Sequence, residues 1–271
     1  IWIEGPFRNK SLFNQAPKLF SAALTSSAAF VLLGAIGHGT VGLPQRLSSE
    51  ALAFANAGED FSPSPPTCGN WEKSDRFCLI GKQDQKPEFV FVGDSHAGIL
   101  SNGVHYFAKG QNVSGIYSGV GGCPPLFGIE KDESVADSAA DSECTARNEE
   151  LRRLVSDDSS EIRVAILAAR WAYYAEGRGT GLDQGNIVKL TAPNGSFEAS
   201  GTQRAIFEKS LISTVKALED FGLTVYVLEQ VPEFPVYSSS NAVRSLILGG
   251  EGSMEKLAPS LIVPLEAVRR R

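Results

Sequence analysis

Short apolar runs alternate with amphipathic stretches along the second half of the chain. Residues 88–92 (Glu-Phe-Val-Phe-Val) are of strand length and apolar on both faces, the pattern of a strand buried from both sides in a parallel sheet. Residues 97–109 place Ile99, Leu100, Val104 and Phe107 at helical spacing, and Gly110 stops the helix. Residues 113–117 read as a second strand, 162–168 as the third and clearest, and 223–228 as a fourth. A helix with exposed charges is expected over 145–156. A strongly periodic one is expected over 202–221, carrying Ile206, Leu211, Val215 and Leu218 and ended by Gly222. A last helix is expected over 255–268. Strands interleaved with helices predict an α/β domain around a parallel sheet.

The connections carry their own signals. Residues 118–125 (Ser-Gly-Val-Gly-Gly-Cys-Pro-Pro) are dense in Gly and Pro and mark a tight loop at a strand end. Residues 128–143 are acidic and rich in small residues, the composition of a solvated loop. Residues 176–200 are long and Gly-rich. Within them Pro193-Asn194-Gly195-Ser196 is a hairpin signal between residues 187–190 and Phe197. A loop of this length at the carboxyl end of a strand suits a substrate-facing flap.

The first half is different. Residues 19–37 are nineteen residues without a charge, and the apolar tract runs on through Val41 and Leu43. At 1.5 Å per residue that run spans roughly 28 Å, close to a bilayer core. The expected transmembrane helix is 19–43, with a cleaved signal peptide or a soluble core helix as the alternatives. Arg8, Lys10 and Lys18 precede the span, whereas Arg46 is followed by Glu50 and Glu59. This asymmetry puts the start of the chain in the cytoplasm and the residues beyond the span outside it. Residues 44–66, ending in Pro63-Ser64-Pro65-Pro66, read as a linker, and the globular domain is expected over 67–271.

Composition narrows the class. The 25 Lys and Arg against 31 Asp and Glu are interspersed, which leaves no footprint for nucleic acid. Of the four cysteines, Cys68 and Cys78 lie ten apart, and Cys123 and Cys144 bracket the acidic loop. Three pairings are open to them, and the local one closes two short loops. No C-x-x-C is present, so zinc and thioredoxin chemistry are disfavoured and no metal site is expected. Free buried thiols are the alternative, and disulfides become the better reading if the domain is exported.

The candidate chemistry sits at Gly93-Asp94-Ser95-His96, where the strand at 88–92 gives way to the helix at 97–109. Ser95 falls at the carboxyl edge of a strand and the amino end of a helix. Backbone N–H groups and the helix dipole stabilise a developing oxyanion there, and ligands of open α/β sheets bind at that edge. The plain alternative is that Asp94 or Ser95 only caps the helix.

Gly93-Asp94-Ser95-His96 resembles block I of the SGNH (GDSL-like) hydrolase superfamily, in the G-D-S-H form. The resemblance implies a three-layer, flavodoxin-like α/β/α fold, with Ser95 as nucleophile and its own N–H in the oxyanion hole. Gly121 or Gly122 is the candidate second donor, and the Cys123-Pro124-Pro125 turn is similar to one in acyltransferase-3-fused members. The superfamily's block III Asn is missing after the third strand. Ala168-Ala169-Arg170-Trp171 instead resembles the corresponding block of the fused domains. Arg170 is a candidate charged donor and Trp171 a candidate wall of the acyl pocket. Their alternatives are pairing with an acidic neighbour and packing. Residues 1–8 resemble the W-x-E-x-P-x-R tail of acyltransferase-3 membrane domains, so 1–18 are expected to be such a tail.

The resemblance also calls for a base, carried in the superfamily on a late D-x-x-H, and this chain has none. His38 lies in the span. His105 is ten residues along the same helix as Ser95, about 15 Å away. His96 is adjacent, and side chains at i and i+1 diverge. The expectation is a fragment, open at both ends, of a longer bacterial inner-membrane protein with its SGNH domain in the periplasm. The implied activity is O-acyl (acetyl) transfer from an acyl-CoA donor, used by an acyltransferase-3 membrane domain in cis, onto a glycan such as lipopolysaccharide O-antigen. No cofactor bound by this domain is implied. A carbohydrate esterase and an inactive glycan-binding module are the alternatives.

Overall fold

A computed structural model describes residues 15–40, 42–59, 65–68, 77–136, 138–157, 159–192, 202–234, 236–248, 255 and 258–261. The chain divides into two units, residues 1–58 with 239–253, and residues 59–238 with 254–271. The segment resembling an acyltransferase-3 tail, at 1–8, lies outside the described residues.

In the first unit, helix α1 (Ala16–Gly39) is long and apolar enough to cross a membrane, and none of its residues is buried. Pro17 suits its first turn, where the missing N–H costs nothing. The helix stops four residues short of the expected end. Thr40 caps it by bonding back to Ile36, and Gly42 (φ 80°) and Leu43 (φ 57°) turn the chain into Pro44. The stretch expected to be a linker is partly helical. Helix α2 (Ser49–Glu59) is a run of good helix formers, and the Ser48 hydroxyl accepts the Ala51 N–H at its start.

In the second unit, strands β1 (Cys78–Gly81), β2 (Phe89–Gly93), β3 (Ser114–Gly119), β5 (Val164–Ala168) and β7 (Thr224–Val227) form one sheet in the order β1-β3-β2-β5-β7. The sheet is parallel except for β1, which pairs antiparallel with β3 in a stretch whose sequence signals only turns. All of β2 is buried. Its alternate residues feed two cores, as the pleat requires. Phe89 and Phe91 pack with Ala97 and Ala108 of helix α3 (Ser95–Gly110) on one face. Val90 and Val92 pack with Leu151 and Val155 of helix α4 (Ser138–Val155) and Leu218 of helix α6 (Gln203–Asp220) on the other. The fold is the expected α/β/α arrangement around a mostly parallel sheet.

One expectation fails in the connections. The acidic stretch at 128–143 is not a solvated loop. Strand β4 (Glu130–Glu133) pairs antiparallel with β6 (Val188–Thr191), and α4 begins at Ser138. Lys131 sits between Glu133 and Asp141 with all three side chains buried, so the charges are paired rather than hydrated. The hairpin expected around residues 193–196 lies outside the described residues, and the partner observed for β6 is β4. Of the last expected helix, Glu255 is helical, Ala258–Leu261 is a 3-10 turn, and 262–268 lie outside the described residues. Helix α5 (Trp171–Glu176) and, in the first unit, helix α7 (Ser239–Leu248) have no counterpart among the elements the sequence pattern predicts.

The cysteines pair locally, Cys68 with Cys78 and Cys123 with Cys144, as expected of an exported domain. The second bridge ties the loop after β3 to α4.

Candidate active site at the carboxyl edge of the sheet

Gly93 ends β2 opposite Ala168, the last residue of β5. The Val120 N–H donates to the Gly93 carbonyl at 3.2 Å, so the loop after β3 starts beside the same residue. Three strand ends therefore converge on the turn into α3.

Asp94 is the N-cap of α3 and is 1% exposed. Its Oδ1 accepts the His96 N–H at 2.8 Å, the usual cap geometry. Its Oδ2 accepts the Arg170 N–H at 2.9 Å and the Tyr174 hydroxyl at 2.9 Å. The cap thus also laces the Ser95 turn to the segment between β5 and α5. Burial pushes the Asp94 carboxyl above the ordinary carboxylate range, while the donors and the nearby His96 pull it back.

Ser95 is the first residue of α3 and is exposed. Among the described residues no hydrogen bond is seen to its hydroxyl or backbone N–H, and it stands at the positive end of the helix. His96 is half-buried and lines a small, mostly apolar cavity of about 40 Å³, with Ile99 and Leu100 of α3, Ala168 at the end of β5, Ala169 after it, and Val231 after β7. This cavity opens beside the serine turn and has the room of a small acyl group or one to two waters.

The candidate second donors stand on the loop after β3. Gly121 is exposed with open space where a side chain would be. Gly122 has φ +69°, a conformation that favours glycine, and a Cβ there would stand 2.4 Å from Glu133 Oε2. Behind the loop, Glu133 accepts from Tyr173 (2.8 Å) and from Lys131 (3.1 Å).

Arg170 is a strut and not a free cation. Its Nε and Nη2 fork onto Glu233 at 2.8 and 2.7 Å, Asp183 lies 3.1 Å away, and the guanidinium stacks on Tyr173. The bonds to Glu233 raise its already high pKa further. Its Nε and Nη2 thus pair with acidic neighbours, the alternative the sequence leaves open beside a donor role. What Arg170 offers the site is its backbone N–H. Trp171 likewise packs: its Nε1 donates to the Leu228 carbonyl at 2.8 Å and its ring tilts against Phe207, outside the cavity beside His96.

The remaining histidines do not reach the serine. His105 is buried, and its Nδ1 accepts the Gly81 N–H at 3.2 Å. Among the described residues no histidine hydrogen-bonds Ser95, and no group of three His, Cys, Asp or Glu is placed to hold a metal.

Sequence reasoning misses Tyr174, Glu233 and Gln230. Gln230 Oε1 accepts the Ala172 N–H at 2.8 Å, so with Glu233 it pins the segment after β7 to the segment after β5. The A-A-R-W run marks one half of this contact. The other half is 58 to 63 residues away in sequence and has no local signature.

The site is thus an exposed serine that follows a buried aspartate N-cap at a strand–helix junction of a mostly parallel α/β sheet. A family model described as the SGNH domain fused to AT3 domains matches residues 64–271. The chain belongs to this family. Among solved structures it is similar to the periplasmic domain of the Salmonella ser. Paratyphi A lipopolysaccharide acetyltransferase, at 12% identity and a TM-score of 0.34, over 76% of this chain and 77% of that one. No curated protein matches the chain.

Proposed function

We propose that the chain carries the extracytoplasmic domain of a bacterial inner-membrane O-acyltransferase that esterifies a surface glycan through Ser95. The observation that carries this reading is Ser95 itself, exposed at the amino end of α3 directly after the Asp94 cap, in a member of a family fused to AT3 domains. The apolar helix α1 and the two disulfides support an anchored domain in an oxidising compartment.

In this reading an acyltransferase-3 membrane domain in cis takes the acyl group, acetyl being the expected one, from cytoplasmic acyl-CoA. The Ser95 oxygen attacks the acyl carbon, the bond from that carbon to its carrier breaks, and the serine proton passes to a general base. The Ser95 N–H and that of Gly121 or Gly122 receive the oxyanion. A sugar hydroxyl, as on lipopolysaccharide O-antigen, then attacks the acyl-serine and restores Ser95. Among the described residues neither His96 nor His105 hydrogen-bonds Ser95, and His105 Nδ1 is taken up by the Gly81 N–H.

The test is the acetyl content of surface polysaccharide in cells producing the natural protein. Ser95→Ala should abolish acylation at unchanged protein level, and Asp94→Asn should reduce it less. Release of free acetate in place of transfer would make the same residues a carbohydrate esterase. Full acylation in Ser95→Ala cells would leave a glycan-binding module.

A further inference from the structure

The three donors to the Asp94 carboxylate are not equivalent. Those from His96 and Arg170 are backbone N–H groups that any residue but proline supplies, whereas the third is the hydroxyl of Tyr174. That side chain is fully buried among Leu126, Val188, Leu190 and Phe207. The Tyr174 carbonyl accepts from Gln203 Nε2 at 2.7 Å, and Gln203 Oε1 in turn accepts the Leu190 N–H at 3.1 Å. The hydroxyl therefore reaches Asp94 from a ring fixed by α5, α6 and β6 together.

We propose that Tyr174 is a positioning residue for Ser95: its hydroxyl holds the Asp94 carboxylate ionised and in place, and that carboxylate fixes the serine turn against the β5–α5 segment. The functional half of this rests on the reading of Ser95 as nucleophile; the Tyr174–Asp94 bond does not. The geometry favours the ionised acid: both backbone partners can only donate, and the Tyr174 hydroxyl donates to the same carboxylate. A proton on Oδ2 would weaken it as the acceptor for the Arg170 N–H and would force the Tyr174 hydroxyl to turn from donor to acceptor, so the lacing to Arg170 would loosen. The other titratable groups near the pair are His96 on α3, Tyr117 on β3, Tyr173 on α5 and Glu133 on β4. The Arg170 guanidinium is turned onto Glu233. None of these donates to Asp94 through its side chain, which leaves Tyr174 as the side chain that selects the ionised form.

The experiment tracks the backbone amide signals of His96 and Arg170 by NMR against pH, in this chain and in Tyr174→Phe, which keeps the ring. Both amides should titrate with one midpoint, that of Asp94. In Tyr174→Phe the midpoint should rise by about one pH unit or more, the size expected for losing a hydrogen bond to a charged group. The packing control Phe207→Leu should lower thermal stability and leave the midpoint where it was. An unchanged midpoint in Tyr174→Phe would show that Tyr174 only packs, and would overturn the proposal. Should Tyr174→Phe fail to fold, the unaltered chain decides: the Tyr174 Cζ signal must move with the same midpoint as the two amides, and a flat response overturns the proposal equally. In cells, Tyr174→Phe should lower acylation more steeply toward acid pH. If Ser95→Ala leaves acylation intact, the functional reading fails while the amide titration still stands.

Discussion

A methyl group on Gly93 would stand 1.7 Å from the carbonyl oxygen of Ala168. These residues are register partners at the ends of β2 and β5, and the obstruction is backbone, which no rotamer change relieves. Gly93 is thus what lets the two central strands close beneath the Ser95 turn. Gly93→Ala should destabilise the domain by about 3 kcal/mol or more, as overpacking against backbone does, and should disturb the serine turn first. Urea unfolding measures the loss. Wild-type stability in the variant would mean that the strand ends are looser than described.

Arg170 and Glu233 bridge two strand exits with a fork that is largely shielded from water, their side chains being 18% and 14% exposed. Arg170→Lys keeps the charge and loses the fork. It should cost about 1–3 kcal/mol, with a double-mutant cycle to Glu233→Gln showing coupling of about 1 kcal/mol or more. If Arg170→Lys instead left stability intact and lowered acyl transfer alone, Arg170 would be an oxyanion donor after all.

How much is legible in the sequence depends on the range of each interaction. The strands at 88–92, 113–117, 162–168 and 223–228 are legible as short runs rich in β-branched and apolar residues, continuous in β2 where both faces are buried and present even in the largely exposed edge strand β7, and each lies within two residues of the observed element. The place of Ser95 is legible for the same reason, being the junction of such a run with a helical period. Its neighbours are not. Tyr174 meets Asp94 from 80 residues away and Glu233 meets Arg170 from 63, distances over which no local pattern operates. Lys131, Glu133 and Asp141 look like a wet surface in sequence because charges cancel only once the fold brings them together. Strand β1 is four residues long with one partner, too short for periodicity to announce.

Both disulfides close short loops, and each should contribute about 2–4 kcal/mol. Denatured without reductant, protein recovered from an oxidising compartment should show no reactive thiol, and Cys123→Ser with Cys144→Ser should loosen the loop carrying Gly121 and Gly122. Four reactive thiols would contradict both the pairing and the compartment.

His105 supplies a pH dependence with a definite sign. Burial, with a smaller push from Lys109, lowers its pKa below the ordinary histidine value, and Nδ1 must be unprotonated to accept the Gly81 N–H. The unfolded chain therefore binds the proton more readily than the folded one. Stability from this group is complete above about pH 6.5 and falls as pH drops from there through the folded-state value. Between pH 7.5 and 5.5, wild type should lose more stability than His105→Gln, which keeps an acceptor for Gly81 and does not titrate. Equal losses in the two proteins would remove His105 as the cause.

An acyl-enzyme is a covalent species, and it is tested most directly on the serine itself. Membranes carrying the natural protein, incubated with an acetyl donor, quenched in acid and digested, should yield the peptide containing Ser95 with one acetyl group added. That adduct should disappear on adding the acceptor glycan and be absent from Ser95→Ala. Glycan acetylation that proceeds in Ser95→Ala membranes, with no acetyl group ever found on Ser95 in the wild type, would contradict transfer through this serine.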